Sequence, residues 1–217
     1  MPPYFQDRTH MLLAGVTGSR TNYGGKTAIA NWWATEWGRN AFDVVWFCNY
    51  KGDEGPAEAA ETEVGSIQEL ASAMKQGARH ICLTPRDHDW EAVSRRVADF
   101  ARELPSDMSK FVVHDEAPEL DEDALLWWVR VAGNGATAKS VVIAQAPGDL
   151  SMGVRRQTAL CWVGPVTEDN RHVFRANNRG NHFDWIREHH DPYQWTVMTG
   201  PANEDRDTFD PVPERFA

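Results

Sequence analysis

The residues best equipped for chemistry lie near the N-terminus, at Gly18, Tyr23, Gly24, Gly25, Lys26, Thr27 and Ala28. Met11-Leu-Leu-Ala-Gly-Val16 reads as a short buried strand, Thr17 to Gly25 as a glycine-bearing loop, and Lys26-Thr27 as the opening of a helix. Backbone N–H groups at a helix N-terminus, a lysine ammonium and a threonine hydroxyl can together hold triphosphate oxygens and a Mg²⁺ ion. The loop is longer than the pattern Gly-x-x-x-x-Gly-Lys-Ser/Thr, because six residues separate Gly18 from Gly25. An ordinary turn before a helix uses the same residue types, so a second motif has to support the first.

That motif is Lys110-Phe-Val-Val-His-Asp115-Glu116, an apolar run too short for a helix that ends in two carboxylates. It resembles a Walker B strand. In such a site Asp115, with Thr27, holds the metal shell, and Glu116 orients or deprotonates the attacking water, since phosphoryl transfer needs positioning and charge neutralisation more than covalent chemistry. A third polar group, Gln145, ends the run Ser140-Val-Val-Ile-Ala144. There it places an amide beside the carboxylates on a neighbouring strand, where it can sense the terminal phosphate. A satisfied polar strand end is the structural alternative.

Positioning these groups requires a sheet. Val44-Val-Trp-Phe-Cys48, His80 to Thr84, Leu160 to Val163 and Trp195 to Met198 are further short apolar runs that fit strands buried on both faces. Helical spacing recurs over Lys26 to Gly38, Ser66 to Gln76, Trp90 to Leu104, Asp121 to Val131, Leu150 to Arg156 and Glu168 to His190, the last interrupted at Gly180. Asn49 to Pro56 and Gly133 to Ala138 read as breaks. The alternation predicts a doubly wound α/β fold, a mostly parallel sheet flanked by helices on both faces with its ligand crevice at the C-terminal ends of the strands, and the motifs on that edge resemble those of P-loop NTPases of the RecA-like (ASCE) type. One domain over 1–200 is expected, followed by an acidic, proline-bearing tail over 201–217, extended over the surface or mobile.

Composition narrows the function classes. The net charge of −10 argues against broad nonspecific attraction to nucleic acid, so any DNA contact must be local. Only five of the 22 basic residues are lysines, against 32 acidic residues, a balance that suits high salt and suggests a halophilic source. No run approaches the roughly 20 apolar residues of a membrane helix and no signal segment opens the chain, so a soluble, intracellular protein without stable membrane insertion is expected. Cys48, Cys82 and Cys161 lie in strands and read as buried, reduced thiols, while His189-His190 reads as a solvated helix end. The ten tryptophans read as core or subunit contact.

With the three motifs in this order, the chain resembles the FtsK-HerA superfamily of ring-forming, DNA-pumping ATPases over roughly residues 11 to 175. Asn49-Tyr-Lys-Gly-Asp53 is similar to the family's Asp-Pro-Lys-Gly-Asp/Glu stretch, and Gln145-Ala-Pro-Gly-Asp-Leu150 to its Gln-x-Pro segment. The length resembles that of genome-packaging ATPases of icosahedral viruses with an internal membrane, and with the acidic surface it suggests a virus of haloarchaea. The resemblance implies ATP and Mg²⁺ as cofactors, with Lys26 on the β- and γ-phosphates. It also implies double-stranded DNA as partner, self-association into a pentameric or hexameric ring, contact with capsid-vertex or membrane proteins, and a location in the host cytoplasm or at the packaging vertex. An arginine acting on the neighbouring subunit is implied as well: Arg171 first, then Arg155 and Arg156. DNA contacts fall to pore loops, with the Lys51-Gly-Asp and Arg86-Asp-His segments as candidates. A host HerA-like or conjugative motor, a non-motor nucleotide switch and a small-molecule kinase stand as alternatives.

Overall fold

The computed structural model describes residues 10–15, 25–132, 137–176, 179–190, 194–199 and 206–209. Val16, Gly18, Tyr23, Gly24 and the break after Ala132 lie outside them, as does the tail apart from 206–209. Nine strands form one sheet: β1 His10–Gly15, β2 Val44–Cys48, β3 Thr62–Val64, β4 His80–Leu83, β5 Lys110–His114, β6 Ala138–Ile143, β7 Thr158–Val163, β8 Trp195–Met198 and β9 Arg206–Phe209. Their order is β3-β4-β2-β5-β6-β1-β7-β8-β9. All pairs from β3 to β7 are parallel, and β8 and β9 add antiparallel to that edge.

The continuous apolar runs arise because the sheet is covered on both faces. Along β2, Val44, Trp46 and Cys48 pack into one core while Val45 and Phe47 enter the other, and β5 and β6 alternate the same way. The helix that follows the glycine loop, α1 (Lys26–Trp32), covers the second face with Ile29 and Ala30. On the first face lie α3 (Ile67–Lys75), α4 (Trp90–Glu103), α5 (Glu122–Trp127), α6 (Met152–Arg156), α7 (Arg171–Ala176) and α8 (Gly180–His189), after a short α2 (Glu54–Ala59). Trp33, Trp46, Trp128, Trp162 and Trp195 are fully buried, as core tryptophans should be.

Three expectations change. Gly38 does not end the first helix, which passes through a π-helical stretch, Trp33–Gly38, to a last turn at Arg39–Ala41. A Cβ at Gly38 would stand 3.1 Å from Val45 Cγ2 and 3.3 Å from Phe111 Cδ1, so this glycine permits close helix-on-sheet contact. The break after β2 contains α2, with Pro56 in its first turn, where the missing N–H is no loss. Finally, part of the tail is strand: Thr196 faces Thr208 across β8 and β9, their hydroxyls 2.8 Å apart.

Cys48, Cys82 and Cys161 are free and buried. Cys48 and Cys82 lie on paired strands but one register step apart, Cys48 opposite Leu83 and Phe47 opposite Cys82, so the two thiols project to opposite faces.

Candidate active site

Four adjacent strands, β2, β5, β6 and β1, bring the chemical groups to one edge of the sheet. β1 ends at Gly15, whose φ of +145° and closeness to β7 exclude a side chain: a Cβ there would lie 2.2 Å from Val163 O. α1 then begins at Gly25 with no side-chain cap and no acidic residue in its first turn. By contrast, Ser66, Asp89, Asp121 and Ser151 cap α3, α4, α5 and α6. The first turn of α1 thus carries a lysine and N–H groups with no side-chain cap among the described residues, the chemistry of a phosphate cradle. Lys26 Nζ donates to Gly15 O at 3.0 Å, back over the end of β1.

Asp115 N donates to Cys48 O at 3.2 Å, prolonging the β5–β2 pairing into the site. The Asp115 carboxylate is buried. Its Oδ1 accepts from Glu116 N at 3.0 Å, while its Oδ2 has no partner among the described residues. Burial raises its pKa to about 6; the bond from Glu116 N opposes the shift, and the charges of Glu116 and Asp53 add to it. Glu116 turns the chain through the left-handed region, φ 46° and ψ 41°, the one non-glycine residue with positive φ among those described. Strain of this kind at a strand end is a mark of functional sites.

Lys51 completes the set. It stands in the turn after β2 and forms an ion pair with Glu116. Burial lowers the Lys51 pKa, but hydrogen bonding to Glu116 and the nearby carboxylates outweigh it, so the net shift is upward. Lys26 shifts downward, through burial first and the like charge of Lys51 second, against the opposing pull of Asp115 and Glu116. That mutual influence places Lys26, Lys51, Asp115 and Glu116 in one electrostatic neighbourhood. Sequence reasoning offered Lys51 as a DNA contact; in the structure it is exposed and pairs with Glu116. Strand order put β2 beside β5, and nothing local in the sequence encodes that order.

Gln145 follows β6, the strand between β1 and β5, and is exposed at the same edge. Thr27 and Ala28 lie partly buried in the first turn of α1. Arg171 is not brought to this set: it opens α7, pairs with Glu168 and Asp184, and stacks on Phe183 with its guanidinium 4.2 Å from the ring centre. Arg155 and Arg156 end α6. Arg86 pairs with Glu69 at 2.6 Å, well away from the carboxylates on the far side of β4.

A phosphate-loop strand separated from the Asp-Glu strand by one strand bearing a polar residue, all parallel, is the α/β fold of P-loop NTPases. The genome-packaging NTPase B204 from Sulfolobus turreted icosahedral virus 2, in complex with ATP-gammaS, superposes with a TM-score of 0.69 at 10% identity, over 95% of this chain and 100% of that one. Its AMPPCP complex gives 0.66 at 9% identity over the same shares. B204, the DNA-packaging ATPase from Sulfolobus turreted icosahedral virus, gives 0.63 at 11% identity, over 95% of this chain and 98% of that chain. At such identities the likeness is one of fold. No protein-family model and no curated protein sequence matches the chain.

Proposed function

We propose that this chain is an ATP-hydrolysing motor that moves double-stranded DNA into a viral capsid. The observation that carries the reading is the convergence of Lys26, Asp115 and Glu116 at the sheet edge after β1 and β5, beside an uncapped helix end. Likeness of fold to B204 over nearly the whole of both chains supports the packaging role.

In this reading the N–H groups of α1 and the Lys26 ammonium bind the β- and γ-phosphates, and Gln145 donates its amide to a γ-phosphate oxygen. Glu116 orients the attacking water and accepts its proton at the carboxylate. The unpartnered Oδ2 of Asp115 and the Thr27 hydroxyl fit Mg²⁺, which takes few protein ligands and keeps water and phosphate oxygens as the rest. When bound, the ion neutralises charge on the phosphates. No helix among the described residues is long and apolar enough to cross a membrane, and in this reading the motor works at the packaging vertex through contacts with capsid or membrane proteins. The acidic surface, with net charge −10, suits a salt-rich host such as a haloarchaeon.

The test is ATP turnover with and without double-stranded DNA, for the wild type and Glu116→Gln. DNA is expected to raise wild-type turnover, and the variant to bind ATP while hydrolysing it about a hundredfold more slowly or worse. Equal turnover by both proteins removes Glu116 from its role. Turnover indifferent to DNA removes the motor and leaves a nucleotide switch.

A further inference from the structure

With 32 acidic residues against 22 basic ones, this chain has carboxylates in excess, and many of its exposed cations take one. Arg39, Arg95 and Arg96 pair with Glu61, Asp121 and Asp87, and the two segments that the sequence offered to DNA are matched as well, Lys51 with Glu116 and Arg86 with Glu69. Three arginines on adjoining elements differ: Arg130, Arg155 and Arg156 form no ion pair among the described residues. Arg130 stands on the π-helical stretch Trp128–Ala132 that continues α5, and it reaches across to α6. A Cβ at Gly153 would lie 2.7 Å from Leu126 Cδ2 and 3.0 Å from Arg130 Nη2, so the missing side chain is what lets this guanidinium rest on α6. Gly153 and Arg156 are one helical turn apart, which gathers the three guanidinium groups at one end of a five-residue helix. Arg156 is exposed, and Arg155 is half-buried with its Nε enclosed and without an acceptor. Capping does not occupy them: the last carbonyls of α6 accept from Thr158 Oγ1, at 3.2 Å for Val154 O and 3.3 Å for Arg155 O. Like charges held together, one of them partly desolvated, call for an anion.

We propose that Arg130, Arg155 and Arg156 form a surface that binds the phosphate backbone of double-stranded DNA. This rests on the motor reading above and moves the DNA contact away from the Lys51 and Arg86 segments. The π-helical stretch leads into β6 and α6 leads into β7, so the patch lies toward the N-terminal ends of the strands, at the opposite edge from Lys26, Asp115 and Glu116. A duplex held there leaves the nucleotide edge open. Guanidinium forks match phosphate oxygens in pairs, and backbone contacts of this kind grip any sequence. A lipid surface fits less well, because Met152, 53% exposed, is the one large apolar side chain exposed among the described residues and gives a bilayer little to hold.

The experiment measures binding of a fluorescent double-stranded oligonucleotide of mixed sequence by anisotropy, over a descending salt series in which circular dichroism confirms the fold. The proteins are the wild type, Arg130→Gln, Arg156→Gln, the triple variant with Arg155→Gln added, and Arg86→Gln as a control of equal charge change. Each single patch variant is expected to weaken binding about tenfold at ~0.1 M salt and to lower the slope of log Kd against log salt by about one per contacting chain, and the triple variant by close to three. Arg86→Gln, whose guanidinium already meets Glu69, leaves the slope unchanged. Arg130→Lys keeps the charge and most of the slope, and it serves as the second probe if the Gln variants melt early. A triple variant that binds the duplex with the slope of the wild type overturns the patch alone, and so does one that loses binding to anionic vesicles while keeping DNA. Wild type that binds no duplex at any salt overturns the motor reading itself.

Discussion

The buried carboxylate of Asp115 makes a prediction that separates function from stability. Burial lifts its pKa from 3.8 to about 6 in the folded, metal-free protein. A folded-state value above the unfolded one means that the unfolded chain loses its proton first, so the charge favours unfolding. The penalty is absent below about pH 3.8, grows as the pH rises towards 6, and is complete above it, at about 3 kcal/mol. Asp115→Asn cannot ionise and escapes most of it. Because the amide inherits the unmatched place of Oδ2, the expected net gain is about 1–3 kcal/mol, a rise in melting temperature of roughly 2–10 °C at pH 7.5. At pH 4, where most of the ionisation penalty is gone and the cost of the unmatched amide remains, the variant should melt no higher than the wild type. The assay is thermal unfolding across that range in the presence of a chelator, followed by addition of Mg²⁺ and an ATP analogue. Those ligands should stabilise the wild type strongly and the variant little. Parallel melting curves at every pH, or a variant that is less stable at pH 7.5, would refute the account of a charge buried in waiting for a cation.

Gly15→Ala places a methyl group 2.2 Å from Val163 O at a φ of +145°, so β1 and β7 must separate at the mouth of the loop. We expect poorly folded protein, read by circular dichroism, and a variant that melts like the wild type would refute the close approach. The three thiols are buried with their pKa values pushed upward by burial, Cys82 to about 11. The folded protein should resist alkylation at pH 8 and be labelled at all three only on unfolding, as mass spectrometry would show.

How much of this was legible follows from where the information sits. The strands 44–48, 110–114 and 160–163 could be read because burial on both faces forces uninterrupted apolar sequence, a local signal. β3 and β9 could not. Thr62-Glu63-Val64 and Arg206-Asp-Thr-Phe209 are edge strands whose ladders come from a neighbour's backbone, so their own side chains carry no apolar pattern. The π-helical stretch was hidden for a related reason: Trp33 and Trp37, stacked 5.9 Å apart, look like ordinary helical spacing until the sheet beneath them is known. In the site, Lys26, Asp115 and Glu116 were legible as motifs at strand ends. Lys51 was not, since its partnership with Glu116 exists only because β2 lies beside β5.

Charge at the site bears on whether one chain suffices. Among the described residues, Lys26 and Lys51 bring two positive charges, and Asp115, Glu116 and Asp53 three negative ones. A magnesium triphosphate adds roughly two more negative charges, which grow more exposed in the transition state. The end of α1 returns only about half a charge. A further cation is therefore needed, and the sequence offers Arg20 in the loop of the same chain or an arginine from a neighbouring copy. We propose that it is Arg171 of that copy, which in its own chain pairs with Glu168 and Asp184 and packs on Phe183. If so, turnover per chain must rise with protein concentration as rings assemble. Mixing Arg171→Ala with Glu116→Gln should also restore turnover that neither shows alone, because each lends the other its intact half. Turnover per chain that stays constant down to dilute monomer, with Arg171→Ala fully active, would assign the missing charge to the chain's own loop and leave ring formation unneeded for chemistry.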